Sequence, residues 1–260
     1  MIIRILRLGA LTLHVLFGLM MLALLFPPLA EPRRAALRVG WSVWLVRLLG
    51  IRLQLMGTAP ALRGMLFAAN HVSWLDPFLL MARHPAHFVA KAEIRSWPVL
   101  GWLAAQSGTL FIERERRRDV GRISALFTEL LQAGDNVALF PESTTGDGSA
   151  LNPFKPALLQ AVCSSNSLLC PVAIRYVDQA GHPHMAPVWV GDMNFAESIL
   201  RITAARGIIA ELTFCPCIAG AHQNRRILAL KAQTAIANAL SLPVRYTQPE
   251  TPAYPPDAEL

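Results

Sequence analysis

The sequence predicts an α/β fold: a mostly parallel sheet flanked by helices, preceded by an N-terminal membrane helix or helix hairpin. Three observations predict it. From about residue 50 onward, strand-like and helix-like patterns alternate along the chain, the order that builds parallel β-α-β units. Polar clusters stand directly after three of the strand-like runs, where such sheets carry their working loops. Leu8 to Phe26 form 19 residues without a formal charge. As a helix that stretch is about 28 Å long, close to the hydrocarbon thickness of a bilayer.

In chain order, the N-terminal stretch comes first. A cleaved signal peptide is the alternative to a retained anchor. The apolar run is longer than the usual core of about 7–15 residues, and Pro27-Pro28-Leu29-Ala30-Glu31-Pro32 makes a poor small-residue cleavage site, so the reading is a retained anchor. Arg4 and Arg7 precede the run while Arg33, Arg34 and Arg38 follow it, which leaves orientation open. Arginines on both flanks permit a hairpin that enters and leaves one leaflet. Ala35 to Leu49, with Trp41, Trp44 and Arg47, is then either its interfacial second arm or an ordinary core helix.

The alternation follows. Ile51 to Leu55 alternates at period two, Met65 to Ala69 is a short apolar run, Phe78 to Ala82 is helical and His87 to Ala90 strand-like. Trp97 to Gln106 is helical with Pro98 near its start; Thr109 to Ile112 is a strand, and Val120 to Gln132 has helical spacing. Asn136 to Phe140 is a strand running into Pro141. Leu158 to Cys163 is helical, Cys170 to Val177 and Ile208 to Phe214 are strands, and Arg225 to Leu240 is a long amphipathic helix ending before Pro243. The expected organisation is a membrane-anchoring segment over 1–49, one domain over 50–245, and a Pro-rich, disordered tail over 246–260.

Composition narrows the class. The chain is 53% hydrophobic and only 16% charged, with Lys+Arg exceeding Asp+Glu by 24 − 17 = 7, a mean hydropathy of +0.39 and a pI near 9.8. A greasy, basic protein suits anionic lipid headgroups. No aromatic-rich basic patch argues for nucleic acid. Cys163, Cys170, Cys215 and Cys217 lack zinc-type spacing and are too few for a disulfide framework. The expectation is four small buried thiols in a reducing compartment.

The chemistry concentrates at strand ends. Asn70-His71-Val72-Ser73-Trp74-Leu75-Asp76 places an imidazole and a carboxylate five residues apart on a strand-to-helix turn. There Asp76 can fold back on one ring nitrogen of His71, fix the tautomer and leave the other free to take a proton from a hydroxyl. The second cluster is Glu113 to Arg118, in which Arg114 stands beside the apolar strand and can offer a planar fork to a phosphate; Arg116 to Arg118 read as a solvated loop. The third, Pro141 to Gly148, reads as a turn in which Glu142, Ser143 and Thr144 can bond a polyol or headgroup. Lys155 is either a phosphate contact or a solvated charge at a helix start. No third ligand stands at metal-site spacing.

Together these residues resemble the glycerolipid acyltransferase family over roughly residues 50 to 190, with four ordered motifs. Asn70-His71 through Asp76 is similar to its catalytic Asn-His-x-x-x-x-Asp block. Gly108 to Arg114 resembles the second, whose closing arginine is associated with substrate phosphate. Phe140-Pro141-Glu142-Ser143-Thr144 resembles the third, usually Phe-Pro-Glu-Gly-Thr, and Cys170-Pro171-Val172-Ala173-Ile174 the fourth, thought to support the acyl-binding face. Ser143 departs from the usual glycine. If that turn needs a positive φ, serine costs on the order of 1 kcal/mol. Thr144 to Gly148, followed by Phe154-Lys155, also resembles the lyso-ornithine-lipid branch.

The resemblance implies transfer of an acyl group from acyl-CoA or acyl carrier protein to a lysolipid hydroxyl. The first candidate acceptor is 1-acyl-sn-glycerol-3-phosphate, which would give phosphatidic acid. His71 is then general base and Asp76 its orienting partner, while Asn70, Arg114, Glu142, Ser143, Thr144 and Lys155 face substrate. It implies no cofactor beyond the acyl carrier, membrane lipids as partners, and an active site on the cytoplasmic face of a membrane. A thioester or lysolipid hydrolase and a non-catalytic membrane-binding protein are the readings from other classes. His71, Asp76, Arg114 and Glu142 all being present argues against the last.

Overall fold

The computed structural model describes residues 2–113 and 115–245. Arg114 and the expected Pro-rich tail from 246 lie outside the described residues. Seven strands run in one sheet: β1 (Arg52–Gly57), β2 (Met65–Ala69), β3 (His87–Lys91), β4 (Leu110–Ile112), β5 (Val137–Leu139), β6 (Leu168–Val177) and β7 (Ile209–Phe214). A short β8 (Ile218–Ala219) joins β6 off the main path. Their spatial order is β1-β7-β6-β2-β5-β3-β4. β6, β2, β5, β3 and β4 are mutually parallel, and β1 is parallel to β7. The exceptions are β7 and β8, both antiparallel to β6, and with β7 its parallel neighbour β1. The mostly parallel expectation therefore stands. The reversal falls where β6 turns back through a loop and a helix rather than crossing over.

β2 is central, and every residue in it is buried. Its side chains alternate: Met65, Phe67 and Ala69 join one apolar cluster, Leu66 and Ala68 the other, as a strand covered on both faces requires. The first face is covered by α2 (Glu31–Leu48) and α3 (Asp76–Met81), through Leu45, Val46, Leu79 and Leu80, and by Ile202 of α7 (Phe195–Ala204). The second is covered by α5 (Arg117–Gln132), α6 (Gln160–Ser165) and α8 (Arg225–Leu240), through Ile123, Phe127, Val162, Leu228 and Ile236.

Most expected elements are present, with four differences. The helix expected from Trp97 starts later, as α4 (Leu100–Gln106), because Val99 takes a φ of +62° and breaks the turn before it. α5 begins at Arg117 rather than Val120, so Arg117 and Arg118 lie in its first turn instead of a loop. α7 was not foreseen: its inner face carries Ser198 and Thr203 beside Ile202, which blurs the apolar stripe. The cysteines are not all thiols. Cys170 of β6 and Cys217, just before β8, form a disulfide with Cα atoms 4.3 Å apart, while Cys163 and Cys215 are free. A strand and a loop 47 residues apart in sequence meet only because β7 returns alongside β6.

The N-terminal segment is a helix hairpin. α1 (Ile2–Met20) runs into a wider π-type turn at Met21–Leu25, and the chain reverses into α2. The two arms pack through their rings: His14 stacks on Trp41 at 4.3 Å, and Phe17 meets Trp44 edge-on. Arg7 donates to the carbonyls of Thr203 and Ala205 at the end of α7, a cation on a helix C-terminus. The inner face of α2 packs on the main core through Leu45 and Val46, with Leu49 just beyond its end. α1 differs. Ile3–Leu25 is long and apolar enough to cross a membrane, and only 22% of its most apolar 18-residue stretch is buried within the protein. Leu6, Leu13, Leu16, Met20 and Leu24 face outward.

Candidate active site

The turn after β2 is closed by one carboxylate. Asp76 is the first residue of α3, followed by Pro77, whose missing N–H costs nothing in a first helical turn. From there its Oδ2 folds back to accept the backbone N–H groups of Val72 (2.8 Å) and Ser73 (2.9 Å). The same oxygen lies 2.8 Å from Nδ1 of His71. Asp76 is fully buried, and the His71 side chain keeps 20% of its surface open. The imidazole is held at Nδ1 and available at Nε2, the arrangement a general base requires. One face of its ring stacks on Phe140 at 4.1 Å.

The other oxygen of Asp76 has a partner that the sequence did not announce. Tyr176, on β6, donates its hydroxyl to Oδ1 at 2.7 Å. Its side chain shares the sheet face of Cys170, Val172 and Ile174, which is also the face α3 covers. Burial, then the adjacent Asp76 charge, pushes the Tyr176 phenol well above its ordinary value, so it stays protonated and can only donate to the carboxylate. The one available signal was its place on the alternating face of a strand parallel to β2.

The turn after β5 grips the turn after β2. Glu142 is 5% exposed; its Oε1 accepts the N–H of His71 and its Oε2 that of Asn152, each at 2.8 Å. The N–H of Gly146 donates to the carbonyl of His71, also at 2.8 Å. Burial raises the Glu142 carboxyl above its ordinary range, and the two N–H groups act against that rise. Asn70 is equally inward. Its carboxamide accepts from the N–H of Ile174 (2.7 Å) and donates to the carbonyl of the same residue (2.9 Å), tying β2 to β6.

These placements give two of the expected site residues a structural task. Asn70 and Glu142 were expected against substrate. In the structure both spend their polar atoms on backbone and hold the turn that carries His71. Ser143 takes a φ of +66°, so the turn does adopt the conformation that favours glycine. Ser143 is half-buried, while Thr144 and Lys155 are exposed, all on the segment after β5. The N–H of Lys155 donates to Pro141 at 2.9 Å, folding that segment back on the motif. The structure thus brings Asn70, His71, Asp76, Glu142 and Ser143 onto the adjoining carboxyl ends of β2 and β5.

Arg114 itself lies outside the described residues, yet its loop has an organiser. Asp119 accepts the N–H of Glu113 at 2.7 Å and the Nε of Arg122 at 2.8 Å. The Glu113 N–H, ahead of Arg122 and Arg116, holds its carboxyl below the usual range. Asp119 was also missed, although an acid in a first helical turn is a recognisable signal. Among the described residues no three His, Cys, Asp or Glu side chains gather as a metal site would require.

Comparison with known proteins gives a consistent answer. A family model described as Acyltransferase matches residues 50–175. The chain is 41% identical over 168 residues to a 1-acyl-sn-glycerol-3-phosphate acyltransferase of Neisseria gonorrhoeae, a match covering 65% of each chain, just under two thirds. It is 39% identical to the protein of that name from Neisseria meningitidis serogroup B, over 76% of each chain. A lyso-ornithine lipid O-acyltransferase of Pseudomonas aeruginosa is 35% identical over 80% of each. The crystal structure of the 1-acyl-sn-glycerophosphate acyltransferase PlsC from Thermotoga maritima superimposes with a TM-score of 0.66, covering 95% of this chain and 97% of that one. Its identity is 16%, so it speaks for the fold.

Proposed function

The chain belongs to the acyltransferase family, and on that premise we propose that it acylates the free hydroxyl of 1-acyl-sn-glycerol-3-phosphate to give phosphatidic acid. The donor is a thioester, acyl-CoA or acyl carrier protein. The observation that carries the reading is the His71 Nδ1 to Asp76 Oδ2 contact of 2.8 Å on a buried turn that leaves the imidazole partly open.

Nε2 of His71 takes the hydroxyl proton as the acceptor oxygen attacks the thioester carbonyl. Asp76 offsets the charge that forms on the imidazolium. The tetrahedral oxyanion then collapses, the C–S bond breaks, and the imidazolium proton goes to the departing thiolate. No enzyme nucleophile is needed, because a thioester is already activated. Ser143 lacks the Gly-x-Ser-x-Gly elbow that a serine nucleophile uses. Arg114, with Thr144 and Lys155 on the neighbouring loop, is placed in this reading against the acceptor headgroup. Membrane lipids are the partners, with α1 in the bilayer and the site on its cytoplasmic side.

Lyso-ornithine lipid is the second acceptor to weigh. The 35% identity with the Pseudomonas aeruginosa enzyme extends over more of the chain than the match to either Neisseria relative. The experiment is an assay of the full-length protein with labelled acyl-CoA and acyl carrier protein against lysophosphatidate and lyso-ornithine lipid, alongside His71→Ala. The variant should fold and lose about 10²–10⁴-fold in turnover. Near-normal turnover of folded His71→Ala overturns the mechanism, and turnover of lyso-ornithine lipid alone overturns the acceptor.

A further inference from the structure

The carboxylate that orients His71 is itself set by a residue a hundred positions away, and we propose that Tyr176 is a positioning residue that tunes the basicity of His71 through Asp76. The inference rests on the proposed role of His71 as general base.

Asp76 receives four donors. Three converge on Oδ2: the His71 ring and the N–H groups of Val72 and Ser73. Those three come from the turn itself and fix where the carboxylate sits. The fourth, the Tyr176 hydroxyl, is alone on Oδ1 at 2.7 Å and comes from a different strand. It therefore does two things the turn cannot. It ties the start of α3 to β6, so the His71–Asp76 pair is referenced to the centre of the sheet. It also draws charge from the carboxylate, which weakens the pull of Asp76 on the Nδ1 proton and lowers the affinity of Nε2 for a proton.

Packing keeps that bond constant. Tyr176 is 4% exposed and Asp76 fully buried, so water does not compete for either oxygen. The same strand holds Asn70 through Ile174, two residues earlier on the same face. β6 thus grips the catalytic turn at both ends, at Asn70 before His71 and at Asp76 after it.

Other charges around the pair are accounted for. Glu142, after β5, meets the backbone N–H of His71 rather than its ring. On α2, which packs against α3, Arg38 is paired with Glu31. Arg175 of β6 pairs with Glu211 of β7, and by strand alternation that pair lies on the opposite face of the sheet from Tyr176. Among the described residues, Tyr176 is then the side chain other than His71 that bonds the Asp76 carboxylate.

Tyr176→Phe in the full chain keeps the ring and removes the hydroxyl, which donates to Asp76 and also meets the Ser73 side chain. The carboxylate becomes the stronger acceptor, the imidazolium is favoured, and the acid limb of the kcat/KM pH profile should move upward by about half a unit to one unit. Turnover should fall about tenfold, the scale of one hydrogen bond to a charged group. KM for donor and acceptor should change less than about twofold, because a buried Tyr176 makes no bond to either substrate in the proposed reaction. Replacing Tyr176 by 3-fluorotyrosine, a stronger donor, should move the same limb downward. A purely structural tyrosine would lower Tm and leave the limb where it is in both variants, and that result overturns the proposal. Absence of acyl transfer by the unmodified protein would instead sink the functional reading on which it rests.

Discussion

In the turn after β2, Asp76 is fully buried and four donors meet its carboxylate. In the hairpin of α1 and α2, His14 is equally buried, yet neither ring nitrogen meets a partner among the described residues. Arg38 of α2 is buried as well, with Glu31 on its Nη2 and no partner for its Nε. An unpartnered buried polar atom costs on the order of 1–3 kcal/mol. The two regions therefore rest on different forces. The turn of His71 and Asp76 is specified by directional bonds, each with one geometry. The hairpin is held mainly by apolar burial and by ring stacking of His14 on Trp41, with the Trp41 indole N–H on the His14 carbonyl and Arg7 on the end of α7 as its directional ties. A turn that orients a ring nitrogen needs the first kind of region, and an outward-facing apolar helix works with the second.

The sharpest way to break this comparison is to change the hairpin surface without touching its packing. Leu13, Leu16 and Leu24 are 54–66% exposed, so converting all three to serine removes little internal contact. Moving a leucine side chain from water to an apolar phase is worth about 1.5–3 kcal/mol. The triple variant should lose at least about a hundredfold in partition onto lipid vesicles by flotation, with Tm shifted by less than about 2 °C. Unchanged flotation would take α1 out of the bilayer. A large fall in Tm would show that those leucines are packed rather than lipid-facing.

The opposite test cuts one bond in the polar region. Glu142→Gln keeps the shape but leaves an amide NH₂ facing the N–H of His71 or of Asn152. It should cost about 1–3 kcal/mol of stability by denaturant unfolding. Its pH dependence has a definite sign. The Glu142 carboxyl is raised in the folded protein by burial, so its titration contributes stability below the ordinary glutamate value of 4.5. That contribution is lost as pH rises through the raised value. The stability gap between wild type and Glu142→Gln should narrow as pH rises across that window. A gap that widens instead would show that the two N–H bonds outweigh burial.

How far the sequence could be read follows the same division. β2 and α8 were placed to the residue, because an unbroken apolar run and a helical spacing bounded by Pro243 are local properties. The turn carrying His71 and Asp76 was legible for a similar reason: five residues of separation and a following proline define it. What the sequence could not show was the support. Tyr176 reaches Asp76 across 100 residues, Glu142 reaches His71 across 71, and Asn70 reaches Ile174 across 104. A hydrogen bond between strands that distant leaves no local pattern. The backbone bonds of Asn70 and Glu142 consequently gave no sign of themselves in the sequence. The disulfide of Cys170 and Cys217 escaped in the same way.

The smallest effect concerns Ser143, where the two kinds of constraint meet. Its φ of +66° costs a side-chain residue roughly 1 kcal/mol, part of which glycine would return as a floppier unfolded chain. Ser143→Gly should therefore raise stability by about 0.5–1 kcal/mol, or roughly 1–4 °C in Tm, with His71 and Glu142 undisturbed. By the sequence, the Ser143 hydroxyl is expected against the acceptor headgroup, and the proposed reaction makes that contact testable. The measurement that decides is the ratio of kcat/KM for lysophosphatidate over lyso-ornithine lipid. It should change about threefold or more in the glycine variant, the scale of a weak hydrogen bond. A stabilised enzyme with an unchanged ratio would remove Ser143 from the substrate contacts.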